Sequence, residues 1–166
     1  WAPYTKMRTH FYWRFIMETG GGEMTDRGAH IIDLAQYIMN MDDSGPVHIE
    51  ANGEQFNNDL FDAFIEYDFT CTYKNGVKLV GTSEGERGLK LVGSDGWLFI
   101  KIHGGRLDAS NRSILRDKIG SNEKHTEYSP GHHRNFLDSV KSRKKPIADE
   151  IVGHRTATIC HLLNIG

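Results

Sequence analysis

Ala63-Phe64-Ile65-Glu66-Tyr67-Asp68-Phe69-Thr70-Cys71-Thr72-Tyr73, then Lys74-Asn75-Gly76, then Val77-Lys78-Leu79-Val80-Gly81-Thr82, is the stretch that decides the fold. Both arms are rich in β-branched and aromatic residues, and Asn-Gly is the strongest short hairpin signal because both residues accept the positive φ of a tight turn. Its two strands are therefore antiparallel. Working outward, further β-like runs lie at 47–52, 89–92 and 97–102, with a weaker one at 106–109, and Ser94-Asp95-Gly96 is a second short-turn signal. Strands joined by a few residues cannot be parallel, since a crossover needs a dozen or more. The spacing predicts a meandering, mainly antiparallel sheet.

Helical patterns flank it. Thr25 or Asp26 is placed to cap a helix running to about Asn40, and the turn cluster Asp42-Asp43-Ser44-Gly45-Pro46 separates it from the strands. After Gly131, the residues Phe136, Leu137 and Val140 form one apolar stripe, and a basic turn at 142–146 ends that helix. A last helix from about Asp149 carries Val152, Thr156, Ile159, Cys160 and Leu163 on one face. The fold class is α+β, with helices packed on one face of the sheet.

The chain has 166 residues, the size of one compact domain that buries about 70% of its unfolded surface, and residues 1–166 are read as a single domain. Hydrophobic residues make up 38%, charged residues 25%, and the net charge is -2. Those values exclude a disordered tail and a strongly basic nucleic-acid binder. No apolar run approaches the roughly 20 residues needed to cross a bilayer, so no membrane partner is expected. Cys71 and Cys160 make neither a C-x-x-C pair nor a disulfide framework. The reading is a soluble chain, with cytoplasm and periplasm both open. Trp1-Ala2-Pro3 lacks an initiator Met and the chain ends inside a helical pattern at Gly166, which reads as an internal fragment. Residues 1–19, rich in aromatics and cations without a regular period, read as an extended covering segment.

Chemistry concentrates on the first long helix. A rotation of about 100° per residue places Asp26, His30, Asp33 and Tyr37 within about 60° of one another. The rest of that helix is nearly all apolar, so it reads as buried, and charges inside a protein are costly unless paired or used. Asp26 and His30 are four residues apart, the spacing at which a carboxylate orients an imidazole for general acid/base work. A purely structural helix pair has the same spacing. The same side chains are of the kind that ligates divalent cations, and His132, His133, His154 and His161 add candidates, but no spacing matches a tight metal signature and no metal is expected. Gly20-Gly21-Gly22 is not a dinucleotide loop, because Thr25 occupies the last glycine position of G-x-G-x-x-G and no βαβ unit surrounds it. A glycine run before a helix still lets a ligand approach the backbone closely, either at Gly21 and Gly22 or not at all if it is a simple turn.

The segment from Glu18 to Asp33, with its Gly-Gly-Gly and its Asp26-Arg27-Gly28-Ala29-His30-Ile31-Ile32-Asp33, resembles the hallmark of the Gfo/Idh/MocA family of NAD(P)-dependent oxidoreductases. Trp13-Arg14, the Gly93-Ser94-Asp95-Gly96-Trp97 turn, the run from His133 to Pro146, and Gly153-His154-Arg155-Thr156-Ala157-Thr158 are similar to its sugar-associated bacterial branch. The resemblance implies the C-terminal substrate and oligomerisation domain of an enzyme whose N-terminal Rossmann domain, absent from this chain, binds NAD or NADP. It implies His30 as proton acceptor and donor, with Asp26 orienting it. Asp33, Arg14 and His10 are the expected substrate-binding side chains, and Gly21 and Gly22 the expected cofactor-side glycines. The implied substrate is a sugar, cyclitol or related polyol.

The family's Rossmann domain with its glycine-rich turn and its E-K-P lysine are missing, so this chain alone is expected to bind no cofactor, to lack one catalytic partner and to be inactive. The family also includes glycosidases that use NAD and members without activity, so a non-catalytic sugar-binding or assembly module and a metal-dependent lyase or isomerase stand as alternatives. A sheet with helices on one face leaves the other open. Phe64, Tyr67, Phe69, Val77, Leu79, Leu91 and Phe99 are expected to form in part an exposed apolar patch there, and hence a homo-oligomer interface.

Overall fold

Turn chemistry sets the strand order. In the computed structural model, which describes residues 2–56, 58–102 and 105–166, Trp1, Asn57, His103 and Gly104 lie outside the described residues. β1 (His48–Gln55), β2 (Phe64–Thr72) and β3 (Lys78–Thr82) form one three-stranded sheet, and β4 (Gly88–Gly93), β5 (Gly96–Lys101) and β6 (Leu107–Ala109) a second. Every pairing among the described residues is antiparallel. Gly76 takes φ 85° in the β2–β3 turn, and Gly93 pairs with Gly96 across a two-residue turn, as the Asn-Gly and Asp-Gly signals require. The predicted α+β meander is thus present, divided into two sheets by the bend at 83–87, where Gly85 has φ 88°.

Among the described residues four α-helices accompany the sheets: α1 (Gly22–Thr25), α2 (Arg27–Met39), α3 (His132–Ser142) and α4 (Glu150–Ile165). The covering segment is not extended throughout, for it contains two short 3-10 turns, Lys6–Arg8 and Tyr12–Phe15. The chain forms two compact units, Trp1–Glu86 with His154–Gly166, and Arg87–Gly153.

The first unit holds nearly all of the core. Period-two alternation puts Ile49, Ala51, Tyr67, Phe69, Cys71 and Leu79 on one face of β1–β3, and Thr156, Ile159, Cys160 and Leu163 are the buried face of α4, as the sequence spacing predicts. The other sheet face carries Glu50, Glu54, Glu66, Asp68, Thr70, Thr72 and Lys78, with Val80 as an isolated exposed apolar residue. The expected apolar patch is therefore not there: of its seven residues only Val77 is exposed, because Tyr67, Phe69 and Leu79 share the inward register of Cys71.

A buried polar lock closes α2. Tyr73 donates its hydroxyl to Gln36 Oε1 at 2.5 Å, while Gln36 Nε2 donates to the Met41 and Ser44 carbonyls at 3.0 and 3.1 Å. Both amide hydrogens and the amide oxygen have partners, which is why Gln36 tolerates complete burial. Asn40 adopts the left-handed conformation that ends the helix.

Around this lock, burial pushes the Cys71 thiol up to about 11, the Cys160 thiol to about 12 and the Tyr73 phenol to about 12, from ordinary values of 9.0, 9.0 and 10.0. The folded chain keeps these protons at pH values where the unfolded chain has lost them, so stability is full below about pH 9 and falls as pH rises towards 12. Denaturant midpoints followed by circular dichroism are expected to be flat up to about pH 9 and to decline above it. A midpoint unchanged up to pH 11 would contradict the burial of all three groups.

In the second unit, Leu89 is the buried hydrophobic residue among those described. α3 leaves its apolar stripe open, with Phe136 63% exposed and Leu137 and Val140 also exposed. Asp149 caps α4, accepting the Ile151 and Val152 amides at 3.0 Å each. The hydrogen bond from Lys145, followed by the Val152 amide, holds its carboxyl below the usual range.

Candidate functional site

Three glycines bring the N-terminal segment against α1. A Cβ on Gly20 would stand 2.5 Å from the Arg14 carbonyl oxygen, one on Gly21 2.5 Å from the Thr25 side chain, and one on Gly22 2.9 Å from Ala63 Cβ. Gly21 and Gly22 have φ of 148° and 71°. The Gly21 amide donates to the Arg14 carbonyl at 3.3 Å, and its own carbonyl accepts Asn164 Nδ2 at 2.9 Å. Gly21 and Gly22 are buried, and protein atoms occupy the space a side chain would take. No pyrophosphate cradle is formed by these atoms, and among the described residues all strand pairs are antiparallel, unlike a dinucleotide fold.

Asp26 sits at a break. The helix predicted to run to about Asn40 is α2, and the short α1, which the sequence spacing did not predict, precedes it; Asp26 stands between them at φ -92° and ψ -92°, without the expected side-chain capping bond. Its carboxylate instead meets Arg14 Nη1 at 2.9 Å, both side chains being about a quarter exposed (23% for Arg14 and 25% for Asp26). Arg14 Nε donates to the Phe11 carbonyl at 3.2 Å, and the guanidinium lies 3.8 Å from the centre of the Phe11 ring. One planar group thus makes an ion pair, a backbone hydrogen bond and a cation–π contact.

His30 lies one turn further on, and it is exposed. Among the described residues no hydrogen bond joins it to Asp26, whose partner is Arg14. Asp33 accepts the Thr156 hydroxyl at 2.8 Å, tying α2 to α4. Tyr37 is exposed at the far end of the stripe. The expectation of a helix buried all round is corrected: Ile32, Ala35 and Gln36 are buried, whereas His30, Tyr37 and Ile38 are exposed, because only one side of α2 faces the core.

His10 lies between the two 3-10 turns with φ 54° and is exposed, with no hydrogen bond to Arg14, Asp26 or His30 among the described residues. His132, His133, His154 and His161 are exposed on α3 and α4, and no three His, Cys, Asp or Glu side chains converge among the described residues. A cavity of about 260 Å³ between α1, β1–β2 and the end of α4 is lined by Met24, Ala51, Asn52, Phe64, Tyr67 and Leu163 among others, and none of Arg14, Asp26, His30 or Asp33 lines it. No helix among the described residues is long and apolar enough to cross a membrane.

Sequence spacing placed His30, Asp33 and Tyr37 on α2 but missed the break at Asp26 and the Arg14–Asp26 pair. Its two partners are twelve positions apart in different elements, and no periodicity links such residues. The signal was the glycine run, which permits the close approach that brings them together.

Over residues 1–166 the chain matches the family described as "Oxidoreductase family, C-terminal alpha/beta domain" of the Gfo/Idh/MocA group. No curated protein sequence matches it. Among solved structures it is similar to the UDP-N-acetylglucosamine 3-dehydrogenase of Acidithiobacillus ferrooxidans, with TM-score 0.60 and 15% identity over 86% of this chain and 47% of that one. It is also similar to the aldose-aldose oxidoreductase of Caulobacter crescentus complexed with glycerol, with TM-score 0.61 and 14% identity over 91% and 47%. An NAD-binding protein of Listeria innocua aligns with TM-score 0.61 and 17% identity over 91% and 51%. This chain spans about half the length of each. At such identities the likeness shows the fold.

Proposed function

This chain belongs to the Gfo/Idh/MocA oxidoreductase family as its C-terminal alpha/beta domain, and we propose that it is the substrate domain of an NAD(P)-dependent oxidoreductase acting on a hydroxyl of a sugar, cyclitol or related polyol. The observation that carries this reading is His30: an imidazole on α2, exposed, one turn from the Arg14–Asp26 ion pair. A group that is to take a proton from a substrate hydroxyl must be open to the substrate and lie on a rigid element. His30 meets both conditions. The names of two similar structures, a sugar-nucleotide dehydrogenase and an aldose oxidoreductase, support the substrate class.

The nicotinamide cofactor supplies the hydride acceptor when bound, and the protein atoms packed on Gly21 and Gly22 leave no space for its pyrophosphate there. The work of this chain's residues is on the other side of the reaction. His30 takes the proton of the hydroxyl being oxidised and returns it in the reverse direction. Asp33, at the α2–α4 contact, is the neighbouring group offered to a substrate hydroxyl, while the Arg14 guanidinium is engaged with Phe11 and Asp26. Homo-oligomerisation through the sheet is part of the same proposal, and it rests on family membership, since the open face of β1–β3 is polar.

The full-length protein is expected to form NAD(P)H from NAD or NADP with at least one member of a panel of aldoses, inositols and nucleotide sugars. This chain alone is expected to show no NAD or NADP binding by calorimetry. A full-length protein that binds neither cofactor overturns the proposal, as does micromolar binding to this chain alone.

A further inference from the structure

We propose that Arg14 is a positioning residue: held over the Phe11 ring, it fixes the Asp26 carboxylate at the break between α1 and α2 and so sets the direction in which α2 presents His30. The inference rests on the reading of His30 given above. It starts from the backbone of Asp26, whose φ and ψ of -92° lie outside the helical and extended regions. Such a conformation persists only where the surroundings impose it. Asp26 makes no capping bond to the α2 amides. What grips its side chain is Arg14, at 2.9 Å.

Arg14 is itself immobilised at both ends. Its carbonyl accepts the Gly21 amide, and Gly20 packs so closely on its backbone that a Cβ would stand 2.5 to 2.8 Å from three of its atoms. Its guanidinium is stacked on Phe11 and bonded to the Phe11 carbonyl. A side chain restrained in this way loses little freedom on pairing, so the pair acts as a fixed strut. Partly exposed ion pairs add little to stability. Direction is what this one supplies. Lysine cannot replace it, because one ammonium has no planar fork to reach Asp26 while donating to Phe11 and stacking on its ring.

The test uses the full-length protein with 13C-labelled histidine rings, the His30 resonances being assigned by His30→Gln. At one fixed pH, Arg14→Gln and Asp26→Asn are expected to move the His30 ring resonances in the same direction, the double variant to move them no further, and Arg14→Lys to restore them only in part. With a substrate from the sugar panel, Arg14→Gln is expected to lower kcat about 10- to 100-fold, the scale of a small misplacement of a reacting group, with KM within about twofold. The loss in the double variant should be no larger than in either single one. Circular dichroism and thermal midpoints confirm folding, and the milder Phe11→Leu serves if Arg14→Gln does not fold. Unmoved His30 resonances overturn the inference. Losses that add, or a raised KM at unchanged kcat, overturn it too, by making Arg14 an independent substrate contact. The reading of His30 fails by a different result, a His30→Ala enzyme of undiminished kcat, which the resonances do not report.

Discussion

Replacing His30 by alanine in the full-length enzyme is expected to lower kcat at least about 100-fold, with a much smaller effect on KM. General acid/base groups contribute about 10²- to 10⁴-fold, equivalent to roughly 3 to 5 kcal/mol of barrier. The proton moves in the transition state, whereas binding draws on the other hydroxyls of the substrate, so the loss belongs in kcat. Asp26→Asn should cost less. Its carboxylate is paired with Arg14, so the variant removes an ion pair that orients α2 but no group that transfers a proton. Asp33→Asn separates proton transfer from binding, because the amide keeps a carbonyl oxygen to accept the Thr156 hydroxyl and a weakened substrate contact there raises KM rather than lowering kcat. Steady-state kinetics of the three variants, with circular dichroism for folding, make the comparison. A folded His30→Ala enzyme within about threefold of wild-type kcat removes His30 as proton acceptor.

The parts of this fold that were legible in the sequence are those in which cause and effect are close together along the chain. Asn75-Gly76 and Asp95-Gly96 dictate their turns through local φ, and the turns dictate antiparallel neighbours. Thr156, Ile159, Cys160 and Leu163 follow from the period of a helix, whatever they pack against. The division of the meander into two sheets, the break at Asp26 and the polar outer face depend on partners further away. Alternation in β2 tells that Tyr67, Phe69 and Cys71 share a face, but not that this face is the inner one. The stripe on α2 illustrates both limits. Spacing put His30 and Asp33 on α2, yet Asp26 falls at the break before it, and the partners of the two carboxylates, Arg14 and Thr156, come from segments that no local pattern connects to it.

Gly22→Ala is expected to destabilise the protein by about 2 to 5 kcal/mol and so to lower the thermal midpoint by on the order of 10 °C. Two costs combine. At φ 71° a side chain enters the left-handed region, which costs roughly 1 to 2 kcal/mol for an L-residue. The added methyl would also lie 2.9 Å from Ala63 Cβ, and Ala63 has no rotamer to change. Its backbone is bonded on both sides, the amide to the Phe15 carbonyl at 3.3 Å and the carbonyl to the Phe56 amide at 2.9 Å, so relief requires moving a buried strand start, an overpacking cost of about 1 to 3 kcal/mol. Gly76→Ala separates the two. Gly76 has φ 85° but open space around its Cβ position, so only the conformational cost applies. Thermal or denaturant unfolding of both variants measures the difference directly. Equal losses would mean that the glycine run is a flexible turn, while a clearly greater loss for Gly22→Ala shows it to be the packed joint that brings Arg14 against Asp26.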